Sequence, residues 1–301
     1  MTRSRLLLLM AAGWLAAGCA SAPVRQSPPA DSPPVPLRGV AQFSAPESRL
    51  LHEAEERRVR ACMRQRGMRY VEVPTGPGTE PANPYGLLTP EVARQDGYGM
   101  VSSALSGAAT TDDVYARATR DLSVRERARW LAAVEGTKEG RRRLRLPDGA
   151  TLTYPTDGCV AEAQRQLYGA TWRQTSARVQ GLVNLVLAGV ESSSRYVAAE
   201  RDWSACMRAT GRPYDSLRAP AKDIQDSLNA SSGTRKDLLR IGAHEQALAV
   251  EDARCQRRIR FAERVRTVQR AVEADLTPTY QKDLASYARM RAAALRNARS
   301  S

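Results

Sequence analysis

The chain has 301 residues and a net charge of +14, with 46 lysines and arginines against 32 aspartates and glutamates. The basic residues are almost all arginine, since lysine occurs only at 138, 222, 236 and 282; aromatics are 5% of the chain and there are 2 histidines. This composition suits helices with modest cores, leaves little material for a histidine-rich metal site, and excludes a bundle of membrane spans. The longest apolar stretch after the first twenty residues, Gly181–Val190, is about half the length a span needs and contains Asn184.

The N-terminus has the three parts of an export leader. Arg3 and Arg5 are a cationic start, Leu6-Leu-Leu-Leu-Met10 opens a short apolar run, and small residues Ala16-Ala17-Gly18 lead into Cys19. This run resembles the bacterial lipobox, in which the cysteine thiol receives diacylglycerol and signal peptidase II cuts just before it. Ala16 stands where the commonest form of the pattern has leucine, and Leu15 lies one residue earlier. The resemblance implies a signal peptide over 1–18, lipidation at Cys19, and a location on the extracytoplasmic face of the cell membrane. Acyl chains contribute roughly 0.8 kcal/mol per buried methylene, so two or three of them hold a protein stably on a bilayer.

Residues 19–46 read as the lipidated cysteine and a disordered proline-rich linker. Pro23, Pro28, Pro29, Pro33, Pro34, Pro36 and Pro46 are seven of the 17 prolines. Such a segment favours polyproline II at roughly 3.1 Å per residue, a reach on the order of 80 Å, and reads as a spacer.

Beyond it the pattern is helical. A helix is expected over Glu47–Arg66, stopped by Gly67. Thr89-Pro90-Glu91 is a cap, a first-turn proline and an acid, with Gly97 ending that short helix. Ser123-Val-Arg-Glu126 is a capping box opening a helix to Gly136. Leu144–Leu146, then Pro-Asp-Gly, then Leu152–Tyr154 predict a small β-hairpin. A helix over Asp157–Tyr168 follows, stopped by Gly169. Trp172–Arg208 reads as one helical run carrying Val179, Leu182, Val183, Val186, Val190, Val197 and Trp203 at mostly three- and four-residue steps. Pro220 opens a short helix. From Thr234 a long helix carries Leu248, Cys255, Ile259, Ala262, Val265, Val268 and Val272 on one face; Pro278 is expected to break it, with a last helix running to near Ala298.

Two segments match. Ala61-Cys62-Met63-Arg64-x-x-Gly67-x-x-Tyr70 aligns with Ala205-Cys206-Met207-Arg208-x-x-Gly211-x-x-Tyr214. Each reads as a last helical turn with a packed cysteine, a left-handed glycine stop and a tyrosine folding back. Each is followed later by another cysteine, in Asp157-Gly-Cys159 and Asp252-Ala-Arg-Cys255. The chain is therefore read as two related helical units, 47–170 with the hairpin inserted and 171–301 with the long C-terminal helices. Of the three pairings open to four cysteines, the repeat favours Cys62–Cys159 and Cys206–Cys255, each stabilising by roughly 4 kcal/mol in the chain-entropy model. With no C-x-x-C pair, neither zinc nor another metal or cofactor is expected.

The C-M-R-x-x-G-x-x-Y segments, Asn83-Pro-Tyr-Gly86, Asp96-Gly-Tyr-Gly99, Leu146-Pro-Asp-Gly149 and Trp203-Ser-Ala-Cys206 together resemble a group of uncharacterised lipoproteins of high-GC Gram-positive (actinobacterial) bacteria. The resemblance covers most of the chain after the linker and implies no activity.

No catalytic residue is assigned. G-x-S-x-G, S-x-x-K, P-loop and G-x-G-x-x-G signatures are absent, and Gly76-Pro-Gly78 is a loop without the helix a phosphate cradle needs. His244, four residues before Leu248, is expected to be packed, and His52 to lie at the surface. Adjacent acids Asp112-Asp113 and Glu251-Asp252 diverge on a helix. Arginine clusters at 141–145 and 254–270 point to anionic envelope polymers or lipid headgroups. Nucleic acid is not expected, because aromatics are not interleaved with these arginines. The function expected is non-enzymatic binding or scaffolding in the envelope, or docking of another exported protein on the long C-terminal helices, which an exposed apolar stripe beyond Pro278 would favour; the alternative is an envelope hydrolase with an unrecognised site.

Overall fold

The computed structural model describes residues 33–75, 83–107 and 110–300. The leader, Cys19, the linker up to residue 32 and the Gly76–Gly78 loop lie outside the described residues. The fold is mostly α with one small antiparallel hairpin. In chain order its helices are α1 (Ala45–Gln65), α2 (Pro90–Asp96), α3 (Met100–Ser106), α4 (Thr111–Ala118), α5 (Val124–Glu135), α6 (Gly158–Tyr168), α7 (Trp172–Glu191), α8 (Ser194–Ala209), α9 (Ala219–Asn229), α10 (Arg235–Arg258) and α11 (Phe261–Arg299). Strands β1 (Arg141–Arg145) and β2 (Thr151–Pro155) stand between α5 and α6.

Local chemistry explains most of the boundaries. Ser44 with Glu47, Thr110 with Asp113 and Ser123 with Glu126 are reciprocal capping boxes, each satisfying amides that the first helical turn leaves unpaired. Thr89 caps α2, and Gly97, Gly136 and Gly169 end α2, α5 and α6 as the sequence indicates.

Three expectations about continuity are corrected. The linker does not run unstructured to Pro46. Residues 36–39 form a tight turn, and α1 begins at Ala45. Buried Leu37 sits in the main core, its amide donates to Glu273 Oε1 at 2.7 Å, and Gln269 Nε2 donates to the Val35 carbonyl at 3.0 Å. The aliphatic residues between the prolines give this stretch something to bury, which a pure spacer lacks. The run Trp172–Arg208 is two helices, because Ser193 leaves helical geometry and its hydroxyl accepts from Arg195 N. The third correction moves the break in the long C-terminal helix from Pro278 to Arg260. Arg260 takes a left-handed conformation (φ 53°), while α11 continues through Pro278. Ala274, whose carbonyl loses its amide partner to the proline ring, and Pro278 itself are both exposed, so water replaces the lost bond.

Two bridges staple the fold as the repeat indicates. Cys62 is bonded to Cys159 and Cys206 to Cys255, with Cα atoms 5.6 and 5.7 Å apart. Around Cys62–Cys159, a core of Val59, Met63, Tyr70, Tyr115, Trp130 and Val134 joins α1, α4, α5 and α6. Around Cys206–Cys255, the larger core holds Trp203, Met207, Leu248, Phe261 and Val265. The units interleave rather than divide near residue 170. Val101 of α3 belongs to the second core, and Ala294 and Ala298 at the end of α11 pack with Leu51, Ala54 and Leu167 of the first unit. Beyond Pro278 the apolar residues Tyr287, Ala294 and Ala298 are buried within the chain.

Candidate functional site

The paired motifs are structural devices. At Gly67 (φ 70°) and Gly211 (φ 81°) both helices end in the same motif. Met68 N bonds to Met63 O and Gly67 N to Arg64 O; Arg212 N bonds to Met207 O and Gly211 N to Arg208 O. Met63 and Met207 are fully buried below these turns. Tyr70 folds back onto α1, donating to Glu56 Oε2 at 3.0 Å, whereas the Tyr214 hydroxyl reaches forward to Asp223 Oδ2 of α9 at 2.7 Å and only its carbonyl returns to α8, accepting from Ser204 Oγ at 2.7 Å. The second cysteines differ in setting, for Cys159 lies in the first turn of α6 and Cys255 in the last turn of α10. After Cys159 the chain packs back along α1, whereas after Cys255 α11 packs chiefly along α7 and to a lesser extent on α8.

Carboxylates buried in the second core clamp the segment from Tyr85 to Val101 onto α10. Glu245 is buried (2% exposed), and its carboxylate accepts three backbone amides: Tyr98 N at 3.1 Å, Met100 N at 2.8 Å and Val101 N at 3.0 Å. It thereby fills the amides at the start of α3. A side chain at Gly97 would meet Glu245 Cγ at 2.8 Å, which accounts for the glycine in Asp96-Gly-Tyr-Gly99. Two helical turns on, Asp252 accepts from Tyr98 Oη at 3.0 Å, Trp203 Nε1 at 2.8 Å and Gln256 Nε2 at 2.8 Å. Gln256 Oε1 in turn takes Leu88 N at 2.8 Å. Burial outweighs these donors and pushes the Asp252 carboxyl up to about 6. Every oxygen of the pair is occupied from within the chain, so the network positions α2 and α3 and presents nothing to a substrate.

The first unit holds a second polar cluster on α1. Glu55 accepts from Gln164 Nε2 at 2.7 Å and from Tyr168 Oη at 3.3 Å, while Glu56 takes Val73 N at 2.7 Å as well as Tyr70. Burial raises both carboxyls above the usual range, against those hydrogen bonds. His52, expected at the surface, is half-buried one turn away, with Nε2 2.7 Å from the Val73 carbonyl.

His244 departs from expectation in the opposite sense. It is exposed on α10 and has no hydrogen-bond partner among the described residues. The buried line of that helix runs Ile241, Glu245, Leu248, Asp252 and Cys255, and His244 is one residue, about 100° of rotation, off it. The adjacent acids do diverge: Glu251 pairs with Arg212 at the surface while Asp252 is buried, and Asp113 is consumed in its capping box. Among the described residues, no group of three or more histidine, cysteine, aspartate or glutamate side chains is arranged to hold a metal.

No protein-family model matches the chain, and no curated protein or solved structure matches it either.

What remains available for binding is the basic surface. In the 254–270 cluster Arg254, Arg257, Arg258 and Arg270 are exposed, but Arg260 pairs with Glu263 at 3.3 Å and Arg264 with Asp202 at 2.6 Å. In the hairpin, Arg141, Arg142, Arg143 and Arg145 are all exposed and have no acidic partner among the described residues. A groove of about 930 Å³ lies between the 33–40 segment and α11, with apolar walls and Arg38, Arg266 and Arg270 along it. No helix among the described residues is long and apolar enough to cross a membrane.

Proposed function

We propose that the chain is an exported lipoprotein, held at the extracytoplasmic face of the cell membrane by diacylglycerol on Cys19, and that its helical domain is a non-enzymatic binding or scaffolding module. The observation that carries this reading is the cysteine arithmetic. All four cysteines after Cys19 are consumed in two bridges, each between a repeat motif and its own downstream cysteine. Such bridges belong to disulfide-permissive compartments, and they leave Cys19 alone, directly behind a leader-like run. Likeness to the actinobacterial lipoprotein group supports the same compartment.

The fold of residues 33–46 sharpens the geometry of anchorage. Arg291 Nη2 pairs with Glu47 at 2.7 Å and its guanidinium lies over the Phe43 ring at 4.7 Å, tying this stretch along α11. A lipidated Cys19 then stands at most roughly 50 Å of chain from Pro33, well under the reach of a linker extending to Pro46. The domain is held close to the bilayer, where its arginines meet anionic material.

The test is intact-mass and peptide mass spectrometry of the membrane-extracted protein, non-reduced and reduced. The expected result is a diacylglycerol adduct on Cys19 and linked peptides for Cys62–Cys159 and Cys206–Cys255. An unmodified Cys19, or a Cys19→Ser variant that stays with the membrane fraction as the wild type does, overturns the anchor.

A further inference from the structure

We propose that the outward face of the β1–β2 hairpin is a binding site for a linear polyol-phosphate chain, a polyphosphodiester without bases. The pairing register sets Arg141 against Pro155, Arg143 against Thr153 and Arg145 against Thr151. Side chains alternate across a strand, so these residues share one face, while Leu144, Leu152 and buried Tyr154 point to the other. Arg141, Arg143, Arg145, Thr151 and Thr153 are all exposed. The face is therefore three guanidinium groups in a row beside two hydroxyls, with no carboxylate among them.

The row is held on a rigid base. A side chain at Gly181 of α7 would meet Pro147 Cδ at 2.7 Å, so the turn of the hairpin lies directly on that helix. Asn184 Nδ2 donates to Asp148 Oδ2 at 2.8 Å and Gln174 Nε2 to Tyr154 Oη at 3.0 Å. At the other end Thr156 N bonds to Gly140 O at 2.9 Å, and Thr137 Oγ1 donates to Asp157 Oδ2 at 2.7 Å. A docked hairpin presents its arginines without a large ordering cost on binding.

Alternate residues of a strand are about 7 Å apart, comparable with successive phosphates of an extended phosphodiester chain. Guanidinium groups take phosphate oxygens two at a time, and the threonine hydroxyls add single donors. Like charges side by side disfavour the free hairpin, and no carboxylate among the described residues pairs with them; an anionic chain laid along the row offsets them. A linear polymer fits this row better than a bilayer, because the arginines form a single line along β1 on a face only two strands wide. A base-free polymer fits better than single-stranded nucleic acid, because the face carries no aromatic ring on which bases stack.

The site rests on the envelope reading only for where its ligand is met, and the experiment separates the two. Full-length protein in mild detergent is titrated with synthetic poly(glycerol phosphate) of about a dozen units, with single-stranded DNA of equal phosphate number, and with phosphatidylglycerol vesicles. The polymer is expected to bind best, with affinity falling on a log–log salt plot at a slope near −2, from about 0.7 counterion released per phosphate over three contacts. The Arg141→Glu/Arg143→Glu/Arg145→Glu variant is expected to lose at least tenfold in affinity, the matching lysine triple to lose less, and the Arg254→Glu/Arg257→Glu/Arg258→Glu control to stay within twofold. An alanine triple replaces the glutamate triple if the latter does not fold. No polymer binding by the wild type, equal loss in the control, or tighter binding to DNA or vesicles overturns the proposal. Polymer binding by a chain whose Cys19 carries no lipid leaves it standing and overturns the anchor alone.

Discussion

The indole Nε1 of Trp203 donates to Oδ1 of Asp252 at 2.8 Å, with both side chains fully buried. This bond joins α8 to α10 three residues from the Cys206–Cys255 bridge on each helix. It also places a carboxylate where water does not reach it. Burial raises the Asp252 carboxyl from its ordinary 3.8 to about 6. The raised value means the folded state prefers the protonated form. Its contribution to stability is complete below about pH 3.8 and is lost as pH rises through about 6. A shift of that size corresponds to something on the order of 3 kcal/mol. Asparagine at 252 can accept from Trp203 and Gln256 and donate to Tyr98, so Asp252→Asn removes the titration without emptying the network. The expectation is that Asp252→Asn gains stability relative to wild type as pH rises from 4 to 7.5, measured by urea unfolding at intervals across that range. A difference between the two proteins that does not change with pH would show the carboxyl to be unperturbed.

Glu245 supports the fold by accepting backbone amides rather than side-chain donors. Three backbone amides of residues 98–101 depend on it, and leaving a buried amide unpaired costs about 1–3 kcal/mol. Glu245→Ala is therefore expected to destabilise by 3 kcal/mol or more by that figure, and its signature is local. The amides of Tyr98, Met100 and Val101 should lose hydrogen-exchange protection first, ahead of the α1–α6 core. Gly97→Ala should produce the same pattern, since its Cβ meets Glu245 Cγ at 2.8 Å from a backbone at φ 64°. Uniform loss of protection across both cores would count against a clamp.

The two bridges close separations of 97 and 49 residues. In the chain-entropy model each contributes about 4–5 kcal/mol by constraining the unfolded chain. Replacing either pair with serines should lower stability by a similar amount, with the larger loss at Cys62–Cys159. The bridges sit in separate cores, so the losses should add in the quadruple variant, read by denaturant unfolding. A strongly non-additive result would mean that the two cores unfold as one through α11.

Much of this architecture is legible before any coordinates. Ser123 with Glu126, Thr89-Pro90 and the glycines at 97, 136 and 169 are local signals, decided within a few residues, and the structure ends or begins its helices there. The bridges are readable because the repeat marks which cysteine belongs with which. What the sequence hides is non-local. Leu37 and Val35 look like linker residues until α11 supplies Gln269 and Glu273 to bind their backbone. Glu245 is one acid among many until the fold brings three amides to it, and the four-residue step to Leu248 singles out its neighbour His244 instead. Met100–Ser106 carries no capping side chain because its cap comes from α10, 144 residues away. The hairpin arginines extend the predicted strand back from Leu144 to Arg141, since charged residues on an outward strand face give no hydrophobic alternation to read.

Arg260 carries no local signal for a related reason, and it yields the sharpest stability test. A left-handed stop is normally written with glycine, and here the position between α10 and α11 is filled by an exposed arginine at φ 53°. Arg38, also exposed, takes φ 54° in the turn before α1. An L-residue in this region costs roughly 1–2 kcal/mol relative to the right-handed form. Glycine escapes that cost but gives back part of the gain, because its unfolded chain is more flexible. Arg260→Gly and Arg38→Gly are each expected to stabilise by up to about 1 kcal/mol, and the double variant by their sum, since the sites lie in different turns. Arg260→Ala makes the contrast: it keeps the steric penalty and should not stabilise. Thermal unfolding of the four variants beside wild type decides it, and an Arg260→Gly variant that melts below wild type would mean that α10 and α11 are continuous through residue 260.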